Sequence, residues 1–392
     1  MANDGRSSAS TLRNAEEAPH RRVDLEKAQH DEDDLREQDR PHRETETPPS
    51  RGEREPEDEP PLETGGPLPP SSSAATPPPS LFKSANPLLE TCSFLTFATI
   101  WGVLARLGLI WVGGFGEREV FALIWAQMVG CVVMGLVTER KKGLERVFPP
   151  LFPMSGTGFC GSLTTWSSMS LDTFNAFANL DQPAGTSRFS GFVSGMAVTL
   201  ITLAGSMTAL QFGVHLSSFL PRVRLPHQPL RGQVPVTTLA LLSGPLFWLG
   251  ALFLLIFGPS SWRSRATFAI VLGPFGTLLR YLFSRTLNPL RPSLPTGTLL
   301  ANSLAVLVLG VVVLLARHPR SELGCAALKG VQDGFCGSLS TISTLAVELR
   351  GLKRAQSYRY FGVSWVVAQL LLVAVLGSWV WSDDRGAVCW AR

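Results

Sequence analysis

The sequence predicts an all-α integral membrane protein with nine transmembrane helices, arranged as two inverted four-helix repeats joined by a connector helix. The third helix of each repeat is predicted to be broken. Apolar runs long enough to cross about 30 Å of hydrocarbon follow one another from residue 88 onward. A glycine- and hydroxyl-rich phrase occurs twice, and five spans separate each helix of the first repeat from its counterpart. Because five is odd, the second repeat should lie upside down relative to the first.

The first 86 residues are predicted to form a disordered cytoplasmic tail. Residues 1–80 carry 19 acidic and 10 basic residues and are rich in Pro, Ser and Glu. Such a segment buries too little apolar surface to offset the entropy lost on ordering. It has no apolar core behind a basic start, as a secretory signal would, and it is too acidic for a typical organelle transit peptide.

Nine apolar runs follow the tail. Their approximate ranges are 88–112, 119–138, 150–178, 188–219, 236–258, 265–287, 294–316, 323–350 and 358–382. Grouped by the repeat, they predict a first four-helix unit at 87–222, a connector with its linker helix at 223–262, a second, inverted unit at 263–385 and a short C-terminal end at 386–392.

The repeated phrase begins at Gly158 and returns 176 residues later at Gly334, identical at eight of eleven positions. Each copy places two glycines and a run of hydroxyls inside an apolar stretch. Glycine frees the backbone, and Ser or Thr can bond to released polar groups, so each copy predicts a broken helix. A small-residue packing seam is the other common use of such residues in membranes. Two copies in matching places favour a transport site.

Further landmarks repeat at offsets of 174 to 176 residues. The pairs are Gly102-x-x-x-Arg106 with Gly276-x-x-x-Arg280, Gln127 with Asn302, and Asp172 with Glu348. Helices one to four therefore correspond to helices six to nine, and the fifth helix is the connector.

Loop charges predict the orientation. Basic residues cluster in the loops at 139–146, 222–231 and 350–354, which fall on one side of the predicted membrane. By the positive-inside rule this side is cytoplasmic, which also makes the N-terminus cytoplasmic and places the C-terminus outside. Arg317 and Arg320 fall on the outer side and count against this orientation.

Charged residues inside the spans are few. Arg106 and Arg280 are functional candidates, because an intramembrane arginine is costly unless it faces protein, water or a counter-ion; the alternative is an arginine that snorkels to the interface. The scarcity of carboxylates argues against a proton relay. No Gly-Lys pair is present, hence no phosphate-binding loop for ATP. The six scattered cysteines predict neither a disulfide framework nor a zinc site.

Taken together, the repeated phrase, the first-helix Gly-x-x-x-Arg and Asn302 within Gly297-Thr-Leu-Leu-Ala-Asn302 resemble the fluoride channel family (CrcB/Fluc). The likeness is to its fused two-domain eukaryotic fluoride exporters (Fex), and it covers residues 88–382. It implies a passive, fluoride-selective channel of the plasma membrane that lowers cytoplasmic fluoride and confers fluoride resistance. It implies no enzymatic activity and no nucleic-acid partner. The expected partners are fluoride and the lipid bilayer, with the two repeats forming a fused pseudo-dimer.

The resemblance also implies one structural metal and no organic cofactor. A sodium ion is expected at the centre of the two broken helices. Its ligands, carried over position by position, are the backbone carbonyls of Gly161, Thr164, Gly337 and Ser340.

The expected anion path combines residues that the resemblance carries over with the intramembrane hydrogen-bond donors that a strongly hydrated anion requires. The candidates are Asn302, Gln127, Trp166, Met169, Ile342, Leu345, Ser167, Ser168, Ser343, Thr344, Arg106, Arg280, Ser194 and Ser364.

The chain departs from the family at the aromatic positions of that path. The family places two phenylalanines, three residues apart, directly after the Thr-Thr pair. This chain has Trp166 and Met169 in the first repeat and Ile342 and Leu345 in the second. We infer that the two pores have diverged and that at most one conducts in the ordinary way. Asn302, the family residue, is expected to matter more for transport than Gln127, whose extra carbon moves its donors.

Two other functions remain open at this point. Inverted repeats also permit a proton-coupled secondary transporter of a small anion, although few carboxylates are available for a relay. The altered aromatic positions permit a non-conducting membrane protein that retains the fold.

Overall fold

The computed structural model describes residues 87–114, 121–180, 187–220, 234–318, 321–382 and 388–391. Within these ranges the chain forms helices and turns and no β-strand, which confirms the all-α prediction. The predicted tail at 1–86 lies outside the described residues, as do parts of the loops and of the C-terminal end.

The first repeat contains six helical segments. They are α1 (Pro87–Val112), α2 (Leu123–Glu139), α3 (Lys141–Val147), α4 (residues 151–163), α5 (Trp166–Phe177) and α6 (Arg188–Phe219). The middle of α4 is a π-helix, Met154–Cys160. Such wider turns are frequent at functional sites, and this one lies directly before the break that separates α4 from α5.

A connector helix and the second repeat follow. They comprise α7 (Val234–Phe257), α8 (Ser260–Leu290), α9 (Thr296–Leu315), α10 (residues 322–339), α11 (Ser343–Gly351) and α12 (Arg354–Val380). In α10 the π-helical turns are Val331–Cys336, again directly before a break. The two repeats therefore use the same local structure at the same place in the sequence phrase.

Both breaks lie inside the predicted ranges and have extended backbone. Thr164 has φ −96° and ψ 150°, and Thr165 has φ −144° and ψ 125°. Ser340 in the second repeat has φ −92° and ψ 157°. An extended pair of residues stops the i to i−4 hydrogen bonds, so the carbonyls that end α4 and α10 and the N–H groups that begin α5 and α11 need other partners.

The number of continuous spans differs from the prediction of nine. Among the described residues, six helices are long and apolar enough to cross a membrane, namely α1, α6, α7, α8, α9 and α12. The helices α2 and α3 together make a seventh if their 68° bend counts within one span. The prediction counted each broken helix as one span. The breaks leave only 12 residues in α5 and nine in α11, too few for either to cross alone. The nine-span count and the inverted order stay predictions.

The charged stretch at 139–146 was expected to be a loop, and this expectation is wrong in part. Lys141–Val147 forms the short helix α3. Its Lys, Leu, Glu and Arg residues favour helix, and Lys141 and Glu145 approach within 3.9 Å on one face. The stretch remains polar and outside the apolar spans.

The core is continuous across the two repeats. Each repeat pairs its own helices, α2 with α6 and α9 with α12. Beyond its break, however, α5 packs against α9 and α12 of the second repeat, and α11 packs against α2 and α6 of the first. Side chains from both repeats, such as Trp166 and Leu309, are almost completely buried in one cluster. The connector α7 lies against α1 and leaves Leu239, Phe253 and Phe257 exposed, as a lipid-facing helix would.

The cysteine prediction needs a correction, because Cys325 and Cys389 form a disulfide across 64 residues. The bond ties α10 to the short 3₁₀ turn Cys389–Ala391 near the C-terminus, where the Cys389 N–H also donates to the Ala316 carbonyl at 2.9 Å. A single long-range pair has no recognisable spacing in the sequence, which is why the pattern did not reveal it.

Candidate functional site at the paired helix breaks

The two breaks meet at the centre of the molecule through their hydroxyl groups. The Thr164 hydroxyl lies 3.1 Å from the Thr341 hydroxyl and donates to the Ser343 hydroxyl at 3.0 Å. The Thr165 and Ser340 hydroxyls lie 3.0 Å apart. All five side chains are buried. The repeated Ser/Thr run therefore forms one hydroxyl cluster shared by both repeats.

Each repeat caps the helix that begins after the other repeat's break. The Thr164 hydroxyl accepts from the backbone N–H groups of Ile342 and Ser343 at 3.3 and 3.1 Å, at the start of α11. At the equivalent place, the Ser340 hydroxyl accepts from the N–H of Ser167 at 3.0 Å, at the start of α5. Capping by Ser or Thr is common, but it normally comes from the adjoining residue of the same helix. Here Thr165 and Thr341 cap their own helices in this way, at 3.5 and 3.4 Å, and the opposite repeat adds a second cap to each.

The predicted amide pair holds the extended backbone of the breaks. Gln127 donates to the Thr165 carbonyl at 2.7 Å and accepts from the Thr165 N–H at 3.1 Å. Asn302 makes the same two bonds with Thr341, at 3.3 and 2.9 Å. Both amides thus replace the hydrogen bonds lost at a break, and the longer Gln127 reaches its partner as well as Asn302 does. This geometry gives Asn302 no advantage over Gln127.

The two predicted arginines cross between repeats. Arg106 donates to the Ser162 carbonyl at 2.8 Å in its own repeat, and to the Gly337 carbonyl at 2.7 Å and the Asp333 carbonyl in the other. Its guanidinium therefore lies where the carbonyl ends of α4 and α10 converge.

Arg280 also donates to backbone carbonyls in both repeats. It donates to the Ser338 carbonyl at 2.9 Å in its own repeat and to the Thr157 carbonyl at 2.8 Å in the first. Both guanidinium groups are buried and complement the partial negative charge of helix C-termini. Both arginines therefore link the two repeats, because their guanidinium N–H groups donate to backbone carbonyls in each.

The second glycine of each phrase provides room for the opposite arginine. A β-carbon at Gly161 would overlap the guanidinium of Arg280, and one at Gly337 would overlap that of Arg106. The Gly-x-x-x-Arg motif and the repeated phrase are therefore two halves of one contact. The sequence showed both motifs but not that they meet across the repeats.

The four positions of the altered aromatic box are all buried. Trp166 packs edge-to-face on Phe361 with ring centroids 6.0 Å apart. Met169, Ile342 and Leu345 lie in the same central cluster. No aromatic ring stands at three of these positions, so the two repeats present different surfaces beside the breaks.

The other predicted path residues have less uniform positions. Ser167 is buried, and its hydroxyl lies 2.9 Å from that of Ser340. Ser168 and Thr344 are half-buried one turn into α5 and α11. Ser364 is buried in α12 and donates to the Tyr360 carbonyl at 2.8 Å, whereas Ser194 is half-buried in α6.

A buried polar strip, which we name the first seam, runs where α5, α6 and α12 meet. The Thr173 and Thr199 hydroxyls lie 3.3 Å apart, and the indole N–H of Trp365 donates to Thr199 at 3.2 Å. Gln369 donates to the Ser170 carbonyl at 3.2 Å, while its side-chain oxygen and the buried Thr202 hydroxyl have no hydrogen-bond partner among the described residues. The first seam is polar and carries no charge.

A second seam lies where α9, α11 and α12 meet, and it contains a carboxylate. Glu348 accepts from the Thr298 hydroxyl at 2.6 Å, from the Asn288 amide at 3.1 Å and from the Tyr360 hydroxyl at 2.8 Å. Asn288 also accepts from the N–H groups of Gly297 and Thr298 and so caps α9. The two seams lie between different sets of helices, so they are not counterparts of each other under the repeat.

The sequence reading missed most of the seam residues. A helical spacing of small hydroxyl residues in apolar surroundings could have revealed the first seam. The signal is Ser167-x-x-Ser170-x-x-Thr173 in α5 and Thr199-x-x-Thr202 in α6. Asn288 gives no such signal, because it lies at the end of α8, far in sequence from Glu348.

The arginine–glycine contacts predict the effect of a single methyl group. Gly161→Ala and Gly337→Ala should each destabilise the protein by about 1–3 kcal/mol, the usual cost of overpacking, because a guanidinium must move off its carbonyls. Gly362→Ala in α12 is the matched control, since a β-carbon there meets nothing within 4 Å. Thermal unfolding of the purified variants measures the difference. Equal stability of all three variants would contradict the contact.

Comparison with known proteins gives the family. The family model described as "CrcB-like protein, Camphor Resistance (CrcB)" matches residues 93–214 and 267–379, once in each repeat. Fluoride export protein 1 of Neurospora crassa is 33% identical over 359 residues, covering 76% of this chain and 68% of that protein. Fluoride export protein 1 of Candida albicans is 33% identical over 317 residues, covering 74% and 79%.

A bacterial relative matches one repeat. The fluoride-specific ion channel FluC of Escherichia coli is 36% identical over 116 residues, which is 29% of this chain and 86% of that protein. No solved structure matches the chain significantly. Because the family model covers more than half of the chain and occurs twice, the chain belongs to the CrcB-like family, with two family units fused in one polypeptide.

Proposed function

We propose that this protein is a passive, fluoride-selective channel of the plasma membrane that exports fluoride and so lowers its cytoplasmic concentration. The observation that carries the proposal is the pair of helix breaks that cap each other at the centre of a family-matched double repeat. The relatives named as fluoride export proteins and as a fluoride-specific channel support fluoride as the ion.

The chemistry of the centre suits a small, strongly hydrated anion. Dehydration of such an ion must be offset by donors, and the breaks place the N-termini of α5 and α11 together with Ser and Thr hydroxyls. Helix N-termini carry partial positive charge, which favours an anion. These donors lie on both repeats, so the site requires the fused pair.

The path is proposed to follow a seam beside the breaks. Fluoride would pass from the hydroxyl cluster along α5 and α6, or along α11 and α9, exchanging water for hydroxyl, amide or indole N–H donors. Arg106 and Arg280 contribute positive potential from behind the carbonyls that they bind, without standing in the path.

A structural sodium ion is proposed at the carbonyl ends of α4 and α10. Gly161, Thr164, Gly337 and Ser340 all lie at these ends, where helix C-termini favour a cation. The Gly337 carbonyl already accepts from Arg106, but a carbonyl oxygen has two lone pairs and can serve both. When bound, sodium would add positive charge and stiffen the breaks.

The disulfide supports the proposed orientation of the protein in the membrane. Disulfides persist in oxidising surroundings, so the Cys325–Cys389 pair is expected to face the cell exterior. With the predicted nine spans, this places the N-terminus in the cytoplasm and agrees with the basic loops.

An impermeant reductant followed by an impermeant maleimide should label Cys325 and Cys389 on intact cells. The Cys325→Ser/Cys389→Ser double variant is the control and should stay unlabelled on intact cells, since Cys131, Cys160 and Cys336 are buried and the half-buried Cys92 lies near the start of α1, the cytoplasmic end in this orientation. Labelling of the unmutated protein only after the cells are permeabilised would reverse the orientation.

Purified protein in liposomes should conduct fluoride and exclude chloride, with a rate that follows membrane voltage. A potential supplies about 2.3 kcal/mol per elementary charge for each 100 mV, enough for export without ATP or an exchange partner. With equal fluoride concentrations on both sides of the membrane, collapsing the voltage should therefore stop net efflux. Flux that survives depolarisation but needs a proton gradient would instead make Glu348 a candidate proton carrier in a coupled transporter. Absence of any fluoride or chloride flux would indicate a non-conducting protein with the family fold.

Paired variants at the two seams test whether one pore conducts. Thr173→Val/Thr199→Val removes hydroxyls from the first seam, and Thr298→Val/Tyr360→Phe removes them from the second, with little change in volume. We expect one pair to lower fluoride flux by about tenfold, the scale of one lost buried hydrogen bond, and the other to leave it unchanged. Loss of flux in both pairs would show that both seams conduct.

A further inference from the structure

A cavity of about 1370 Å³ opens at the end of the molecule that carries the disulfide. Its walls come from the end of α1, the beginnings of α8 and α10, and the C-terminal turn Cys389–Ala391. By the predicted orientation this is the outer end. The polar and charged side chains in its wall make it an aqueous recess.

Basic groups outnumber acidic groups in the cavity wall. Arg263, Arg265 and Lys329 line it, together with Glu322 and Asp333. Arg263 is fixed by donating to the carbonyls of Leu255 and Ile256 at 3.2 and 3.3 Å. The excess of one positive charge in a concave, low-dielectric recess focuses potential that attracts anions.

An ion pair lies deep in this recess. The Lys329 ammonium is 3.2 Å from the Asp333 carboxylate, and the two side chains are 27% and 16% exposed. The backbone carbonyl of Asp333 accepts from Arg106, the arginine that ties the two breaks. Asp333 in the cavity wall is therefore linked to the central site through Arg106.

The C-terminal turn holds Lys329 from the other side. The disulfide joins Cys389 to Cys325, one helical turn before Lys329 in α10. The next residue, Trp390, places its ring centroid 5.5 Å from the Lys329 ammonium. Lys329 is thus fixed between a carboxylate and an aromatic ring by a covalently tied segment.

The first repeat has no counterpart of the disulfide and the ion pair at the matching positions. At the matching offset of 176 residues, the first repeat has Pro149, Pro153 and Thr157 in place of Cys325, Lys329 and Asp333. None of these can form an ion pair or a disulfide. The repeat symmetry that shapes the centre therefore does not explain the cavity's charges.

We propose that this cavity is an anion-attracting antechamber to the central site, in which Lys329, held by the disulfide-tied C-terminal turn, raises the electrostatic potential that fluoride meets at the outer mouth and Asp333 lowers it. The inference rests on the proposed fluoride conduction. It assigns Lys329 and Asp333 opposite electrostatic effects on flux, which a purely structural ion pair would not have.

The test measures fluoride flux through full-length protein in liposomes, at fluoride concentrations well below saturation. Lys329→Met leaves the negative Asp333 in the recess and should lower flux at least about threefold at roughly 10 mM ionic strength, where screening is weak. Asp333→Asn leaves the positive Lys329 and should raise flux. Lys329→Arg keeps the charge and should stay close to the unmutated protein. In about 1 M salt, where the Debye length is roughly 3 Å, all of these differences should shrink.

The double variant Lys329→Met/Asp333→Asn separates charge from folding. It removes both charges, so its flux should return close to that of the unmutated protein. Equal, salt-independent losses in Lys329→Met and Asp333→Asn would overturn the proposal and leave a structural ion pair. Unchanged flux in all variants would overturn it as well, because the cavity then lies off the path. Absence of fluoride flux in the unmutated protein would instead reject the proposed function itself.

Variants of the C-terminal turn provide an independent test. Cys389→Ser should free Trp390 and Lys329, giving a smaller, salt-sensitive fall in flux in the same direction as Lys329→Met. Cys325→Ser is the matched control, because it breaks the same bond from the other side and should give the same value. A fall that is independent of salt would assign the disulfide to stability alone.

Discussion

Two interrupted backbones in the middle of an apolar helix bundle constrain the whole structure. An unpaired buried N–H or C=O costs several kcal/mol, so a break is tolerated only where other groups satisfy it. In this protein Gln127 and Asn302 bind the break of their own repeat, and many of the other groups come from the opposite repeat. Thr164 and Ser340 cap each other's helices, and Arg106 and Arg280 bind carbonyls across the interface. Separating the repeats would leave both breaks partly unsatisfied, so the fused pair is the structural unit.

This constraint separates the positions that are repeated from those that have diverged. Residues that satisfy or accommodate a break are the same or chemically equivalent in both copies, as with Gly161 and Gly337. The positions that directly follow the breaks differ, with Trp166 in the first copy and Ile342 in the second. The residues at the breaks are therefore matched in the two halves, and the halves differ at positions directly after the breaks.

The positions of the two arginines explain how buried positive groups are compatible with an anion channel. The arginines lie at helix C-termini, where they offset partial negative charge and leave the N-termini of α5 and α11 for an anion. The positive groups are thus fixed by backbone carbonyls and do not form a deep, tight anion site. A passive path needs this balance, since an ion that binds too strongly does not leave.

The sequence by itself determined the membrane class, the all-helical fold, the two repeats and the location of both breaks. Each of these depends on apolar run length or on local residue types, which one stretch of sequence contains. Only the tertiary structure showed that Arg106 lies on Gly337 and Arg280 on Gly161, and that Thr164 caps α11. It also paired Cys325 with Cys389, and it brought Asn288 to Glu348. These contacts join residues 60 to 231 positions apart, and nothing in local spacing specifies such partners. They arise because each half-helix packs against the other repeat once the chain has folded.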